Sequence, residues 1–238
     1  MSRNRFYKDV SVDGGAMPTT HHRVLLDGKP VKTPGGNALA LPSDALAQAV
    51  AEEWRAQGPV IRPETMLLTK LANTAIDRVA PNPANAREQL LVIARSDVVC
   101  YRADSPSGLV KRQELTWDPL LAWLGERFGA SLRAGTGLGF IEQDPSAFGA
   151  LDSALAERDV FSVAGLYAAA ALCGSLVIAL ALSERKLDAE EAFAAANLDK
   201  IYQAEHWGWD EQASAKAAAE RAELDQISRF LELSHGYR

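Results

Sequence analysis

Cysteine is scarce in this 238-residue chain: there are two, Cys100 and Cys173, far apart in the sequence. They form no C-x-x-C pair, which argues against a disulfide framework or a zinc knuckle and points to reducing, cytoplasm-like surroundings. Histidine is nearly as rare. His21, His22, His206 and His235 include no pair at the i, i+4 spacing that sets two imidazoles on one helix face, so they read as surface residues and no metal is expected. Basic charge is in the minority, with 25 Lys and Arg against 31 Asp and Glu. Phosphate neutralisation requires a basic stripe, and none is visible, so no nucleic-acid partner is expected. Residues Met1–Asp9 lack an apolar core and soon meet an acid, so the start reads as neither a signal peptide nor a long transit peptide.

Motifs of chemistry are missing as well. Gly135-Thr136-Gly137-Leu138-Gly139 is the one glycine-rich loop, but Phe140 stands where a third dinucleotide-binding glycine would fall and no lysine follows. It reads as a flexible connector. Ser175 follows Gly174 in an apolar stretch without G-x-S-x-G or a nearby histidine, so no nucleophile elbow is indicated. Acids are plentiful, yet paired carboxylates are recognised only by their separation in space. No catalytic residue and no cofactor is expected. The alternative is a small cytoplasmic, hydrolase-like enzyme, which would need Asp or Glu to converge with His206 or His21 near the Trp207-Gly208-Trp209 corner.

What the chain does have is the composition of a folded protein, with 47% hydrophobic and 24% charged residues, and length enough for one large domain or two small ones. Charge is unevenly placed: from Glu184 to Arg238 there are twelve Asp and Glu against seven Lys and Arg, which is −5 of the total of −6. Such a face suits a basic partner or is simply solvated. One run, Val160–Leu182, holds 23 residues without a charge, long enough to span a bilayer. Its Ala, Gly and Ser content is high, and Arg158, Asp159, Glu184, Arg185 and Lys186 flank it with little asymmetry of sign. Small residues at Gly165, Ala169 and Cys173, and at Ala170 and Gly174, would let other helices approach closely. A central helix buried on every side is expected, with no stable membrane insertion.

The first part of the chain reads as β-rich. Phe6–Val12 and Arg23–Leu26 are strand-like, Asp27-Gly28 is a strong hairpin signal with Lys29–Thr33 as the return strand, and Asn37–Leu41 alternates. Ser43 or Asp44 then caps a helix with Leu46, Val50 and Trp54 at four-residue steps, and a second helix covers Thr69–Val79. Pro81-Asn82-Pro83 marks a boundary. Beyond it the spacing predicts helices over Ala84–Arg95, Leu109–Phe128, Ser146–Glu157, Val160–Leu182, Asp188–Glu205 and Asp210–Leu233, the fifth opening with a capping box of Asp188 and Glu191. In Trp117–Trp123, Thr116 or Asp118 is expected as N-cap with Pro119 at the first helical position. The fold class is therefore α+β: a small N-terminal domain over residues 1–80, then a larger all-helical orthogonal bundle over 81–238.

Two of the five tryptophans flank one glycine in Gln203-Ala204-Glu205-His206-Trp207-Gly208-Trp209-Asp210. Tryptophan supplies contact area and glycine permits close approach, as in a recognition surface; Trp207 and Trp209 equally suit a buried helix-to-helix corner. Taken in order, this segment and the runs Leu26–Pro34, Glu53-Trp54, Leu71–Arg78, Ser96–Ala103, Trp117–Leu120 and Gly174–Leu182 resemble the assembly chaperones that bind the α subunit of the F-type ATP synthase catalytic sector. The ordered set covers nearly the whole chain. Leu67 stands where that family has a proline and Gln212 where an acid is common. The resemblance implies a small α+β domain followed by an orthogonal helical bundle, and a non-enzymatic role. Such a chaperone holds the unassembled α subunit, prevents its aggregation and hands it on to assembly with the β subunit. It also implies a monomer, cytoplasmic in bacteria and mitochondrial in eukaryotes. Matching the family's Gln-x-Glu-x-Trp-Gly stretch, it assigns partner binding to Glu205 above all, with Gln203, Trp207, Gly208 and Asp210 beside it.

Overall fold

The computed structural model describes residues 3–14, 21–137, 139–208 and 210–234. Strands β1 (Arg3–Asn4), β2 (Val10–Asp13), β3 (His22–Leu26), β4 (Lys29–Pro30) and β5 (Ala40–Leu41) precede helix α1 (Asp44–Arg55), followed by β6 (Val60–Ile61) and α2 (Leu67–Thr74). Strand β3 is the hub: β2 runs antiparallel along one edge, and β4 and β5 share the other. A separate pair joins β1 to β6. Asp27 and Gly28 form the expected two-residue hairpin, with φ of 48° and 76°, the consecutive positive values of a type I′ turn. Past Pro30 the return strand holds one further bridge, Lys32 to Ala38. Alternation along the strands buries Val24, Leu26, Leu39 and Leu41, and α1 adds Leu46 and Val50 to this core.

The caps follow the local chemistry. Ser43 Oγ accepts the Leu46 N–H at 3.0 Å to start α1. Helix α2 has no such residue of its own, and Glu53 takes the role from α1: its carboxylate accepts the Leu68 and Thr69 N–H groups at 2.8 Å and the Thr69 hydroxyl at 2.6 Å. After Thr74 the helix widens into a π turn over Ala75–Val79. Asp77, within that turn, accepts hydrogen bonds from the Thr33 hydroxyl (2.6 Å), the Gly35 N–H (2.7 Å) and the Asn37 amide (2.9 Å). Two runs distant in sequence, Leu26–Pro34 and Leu71–Arg78, are thereby joined.

Then come α3 (Pro83–Arg95), β7 (Tyr101–Arg102), α4 (Ser107–Phe128), β8 (Gly135–Thr136), α5 (Pro145–Ala156), α6 (Val160–Cys173), α7 (Leu176–Ser183), α8 (Ala189–Ala196), α9 (Leu198–Trp207) and α10 (Glu211–Ser234). The fold is α+β, a small N-terminal sheet followed by a larger helical region. That region, read as all-helical, also holds a two-residue parallel pair, Tyr101 to Gly135 and Arg102 to Thr136. The glycine-rich loop read as a plain connector is thus partly pinned. Two compact units result, Met1–Pro83 with Asp159–Gly165 and Arg229–Arg238, and Ala84–Arg158 with Leu166–Ser228. Within the first, Gly165 of α6 lies so close to the α10 residues Leu231 and Phe230 that a Cβ would fall 2.5 Å from Leu231 Cδ2.

Three predicted helices differ from expectation. The single helix over Val160–Leu182 is two, because Gly174 adopts φ of 64° and Ser175 turns extended, its Oγ accepting the Ile178 N–H at 3.0 Å. A left-handed glycine ends one helix and the next residue caps another. The pieces have 14 and 8 residues, about 21 Å and 12 Å at 1.5 Å per residue, short of a hydrocarbon core of about 30 Å. No helix among the described residues is long and apolar enough to cross a membrane. Every residue of Leu176–Leu182 is buried, whereas Tyr167 and Ala171 of α6 are exposed, so burial on every side holds only for α7. The helix expected over Asp188–Glu205 divides at Asn197, although its opening capping box of Asp188 and Glu191 is present. Finally, neither Thr116 nor Asp118 is an N-cap. Helix α4 begins at Ser107, and Pro119 sits inside it, where the carbonyl that loses its donor belongs to Leu115, a residue 70% exposed and so open to water.

Candidate functional site

Helix α4 carries Arg112, Thr116 and Leu120 at four-residue steps, and α9 carries Leu198, Ile201 and Glu205 at three and four; each set forms one stripe. The two stripes, with Leu187 and the α8 residues Glu191, Ala194 and Ala195, line a groove of about 430 Å³. Its floor is apolar, made by the buried Leu120, Ala195 and Leu198. Two ties hold the walls. Gln113 donates to Asp199 at 2.8 Å while accepting the Ala103 N–H at 2.8 Å, and Trp117 Nε1 donates to the Ala195 carbonyl at 2.9 Å. Both donors are buried, and the Trp117 bond is wholly shielded from water, so α4 is fixed to α8 and α9.

Charge sits at the rim. Arg112 Nη1 donates to Glu205 Oε1 at 2.8 Å, and the guanidinium lies 5.4 Å from the centre of the Tyr202 ring. The hydrogen bond from Arg112 holds the Glu205 carboxyl below the usual carboxylate range and raises Arg112 in turn. Both side chains remain open to solvent, 41% and 47% exposed. Glu191 accepts the Asp188 N–H at 2.9 Å, and among the described residues no Lys or Arg pairs with it.

The residues singled out in the sequence are divided by this geometry. Glu205 enters the groove. Gln203 and Trp207 are four apart on α9 and, at 3.6 residues per turn, face roughly away from the Leu198–Ile201–Glu205 stripe. Trp207 is 80% exposed, so the reading of it as a buried corner fails; Trp209 and His235 lie outside the described residues. Gly208 ends α9 at φ of 81° and ψ of 164°, a conformation suited to glycine, with open space where a Cβ would point. It makes the turn that follows α9. Asp210 accepts the Ala213 N–H at 2.7 Å, opening α10. His206 stacks on Tyr202 with centroids 4.5 Å apart and its Nδ1 is 2.7 Å from the Tyr202 carbonyl. The groove lining, among the described residues, contains carboxylates without histidine, serine or cysteine. Sequence reasoning missed Arg112, Thr116, Leu120 and Glu191, since only tertiary packing brings α4 and α8 to Glu205.

The sequence profile of the family described as ATP12 chaperone protein matches residues 4–125. The mitochondrial Atp12 protein of Schizosaccharomyces pombe is 24% identical over 203 residues, covering 80% of this chain and 69% of its own. The crystal structure of Atp12 from Paracoccus denitrificans is 38% identical, with a TM-score of 0.89 across 97% of this chain and 98% of that one. A further solved structure, from Agrobacterium tumefaciens, is 37% identical with the same TM-score, across 98% of this chain and 86% of its own.

Proposed function

Because this chain belongs to the ATP12 chaperone family, we propose that it is an assembly chaperone of the F-type ATP synthase that binds the unassembled α subunit. It keeps that subunit from aggregating and hands it on to assembly with the β subunit, without catalysing a reaction. It acts as a cytoplasmic monomer, in a one-to-one complex. The near full-length match to the Paracoccus protein carries this reading. A subunit waiting for its partner exposes an apolar interface prone to aggregation, and covering it requires contact area instead of reactive groups. The groove supplies such an area, apolar at its floor with carboxylates at its rim.

Within this reading Glu205 is the principal polar contact, with Gln203, Trp207, Gly208 and Asp210 in the same segment. The hydrolase alternative would need an imidazole in the groove, and the lining among the described residues holds none. Co-expression with the α subunit alone tests the proposal. The expected result is a soluble complex that co-purifies; equal aggregation of the α subunit with and without this chain would sink it.

A further inference from the structure

We propose that the groove between α4, α8 and α9 seats one large apolar side chain of an α-subunit segment, and that a neighbouring lysine or arginine of that segment takes the Glu205 carboxylate over from Arg112. The inference rests on the chaperone reading above and assigns its contact site. Arg112 then serves as a stand-in for the partner's cation while the chain is unoccupied.

Shape supports the apolar half. A groove of about 430 Å³ lies within the range of pockets that hold ligands, and its lining of Leu120, Leu187, Ala194, Leu198 and Ile201 offers little to a polar group. Charge supports the cationic half. In the lining, among the described residues, two carboxylates, Glu191 and Glu205, stand at the rim against one cation, Arg112, and the stretch that supplies α8 and α9 carries −5 of the chain's net −6. A segment bearing Lys or Arg beside its apolar residue gains from that field, whereas an acidic one is repelled. Exchange is inexpensive because an ion pair open to solvent contributes little. After release Arg112 keeps its place over the Tyr202 ring. An exposed pair is also a weak brace, and the bonds donated by the buried Gln113 and Trp117 side chains already tie the walls.

The test measures α-subunit affinity with the full-length chain and two variants. Ala194→Trp fills the groove from an exposed position, and the exchange Arg112→Glu with Glu205→Arg keeps the internal ion pair but reverses its direction. Wild type is expected to bind, and each variant to bind about tenfold or more weakly with unchanged circular dichroism and thermal midpoint. The exchanged pair separates the roles, because a brace survives reversal and a contact for a cation does not. If it binds like wild type, Glu205 is a brace and the proposal is overturned. If Ala194→Trp binds like wild type, or alters only self-association of this chain, the groove is not the contact and the chaperone reading still stands. If wild type itself does not bind, that reading fails and the groove proposal falls with it.

Discussion

A carboxylate removed from water shows its cost in its titration, and Asp97 does so at the start of α7. Burial pushes it up to about 6, against the pull of hydrogen bonds from Ser175, Val177, Val99 and Leu176. An unfolded aspartate titrates near 4, so between about pH 4 and 6 the folded state binds this proton more tightly. Stability from this group therefore falls as pH rises through that window and is level above it, a change on the order of 3 kcal/mol. Asp97→Asn removes the dependence. Urea unfolding of both proteins should show the wild type losing that amount relative to the variant from pH 4 to 6.5; a constant difference would mean that Asp97 is ionised throughout. Asp77 behaves oppositely, held below the usual carboxylate range chiefly by the Thr33 hydroxyl. A Cβ at Gly35 would fall 2.7 Å from Asp77 Oδ1, and the three bonds that pin this carboxylate leave it little room. Gly35→Ala is expected to lower the unfolding free energy by about 1–2 kcal/mol in urea titration. Thr33 and Asp77 are each visible in the sequence, but neither run says that they meet.

Among the elements, those with a strong period and a local stop signal were legible. The Asp27-Gly28 hairpin, the Ser43 cap of α1 and the capping box of α8 all depend on neighbours within four residues. Where a boundary was missed, the signal was present but outweighed by hydrophobicity: Gly174-Ser175 is a stop followed by a cap inside an otherwise apolar run. Pro119 misled in the other direction, since a proline that starts helices elsewhere is carried here inside α4. Close packing within one unit gives an element-scale test. Gly165→Ala improves helix propensity by about 1 kcal/mol, yet its Cβ would collide with Leu231, and overpacking costs about 1–3 kcal/mol. Net destabilisation is expected by thermal or urea unfolding, with recovery in the Gly165→Ala, Leu231→Val double variant. Stabilisation by Gly165→Ala alone would show that the α6 and α10 contact yields freely.

For the whole molecule, charge and packing divide the explanation. The Glu184–Arg238 stretch carries −5 of the net −6, so in the proposed function capture of a basic α-subunit surface is steered over distance. The association rate is expected to fall about tenfold between low salt and roughly 0.5 M NaCl, as stopped-flow mixing would read it. A rate indifferent to salt would make the stretch a solvated surface only. The fold class, the family and most element positions were determined by the sequence itself, because they follow from periodicity, caps, turns and ordered motifs that act over short range. The tertiary structure decided the groove. Arg112 meets Glu205 across 93 positions of sequence, and Trp117 reaches Ala195 across 78, contacts set by how helices pack rather than by any local preference. It also decided which member of one short segment lines the groove, placing Glu205 there and leaving Trp207 in solvent, because a helix sends residues two apart to nearly opposite sides.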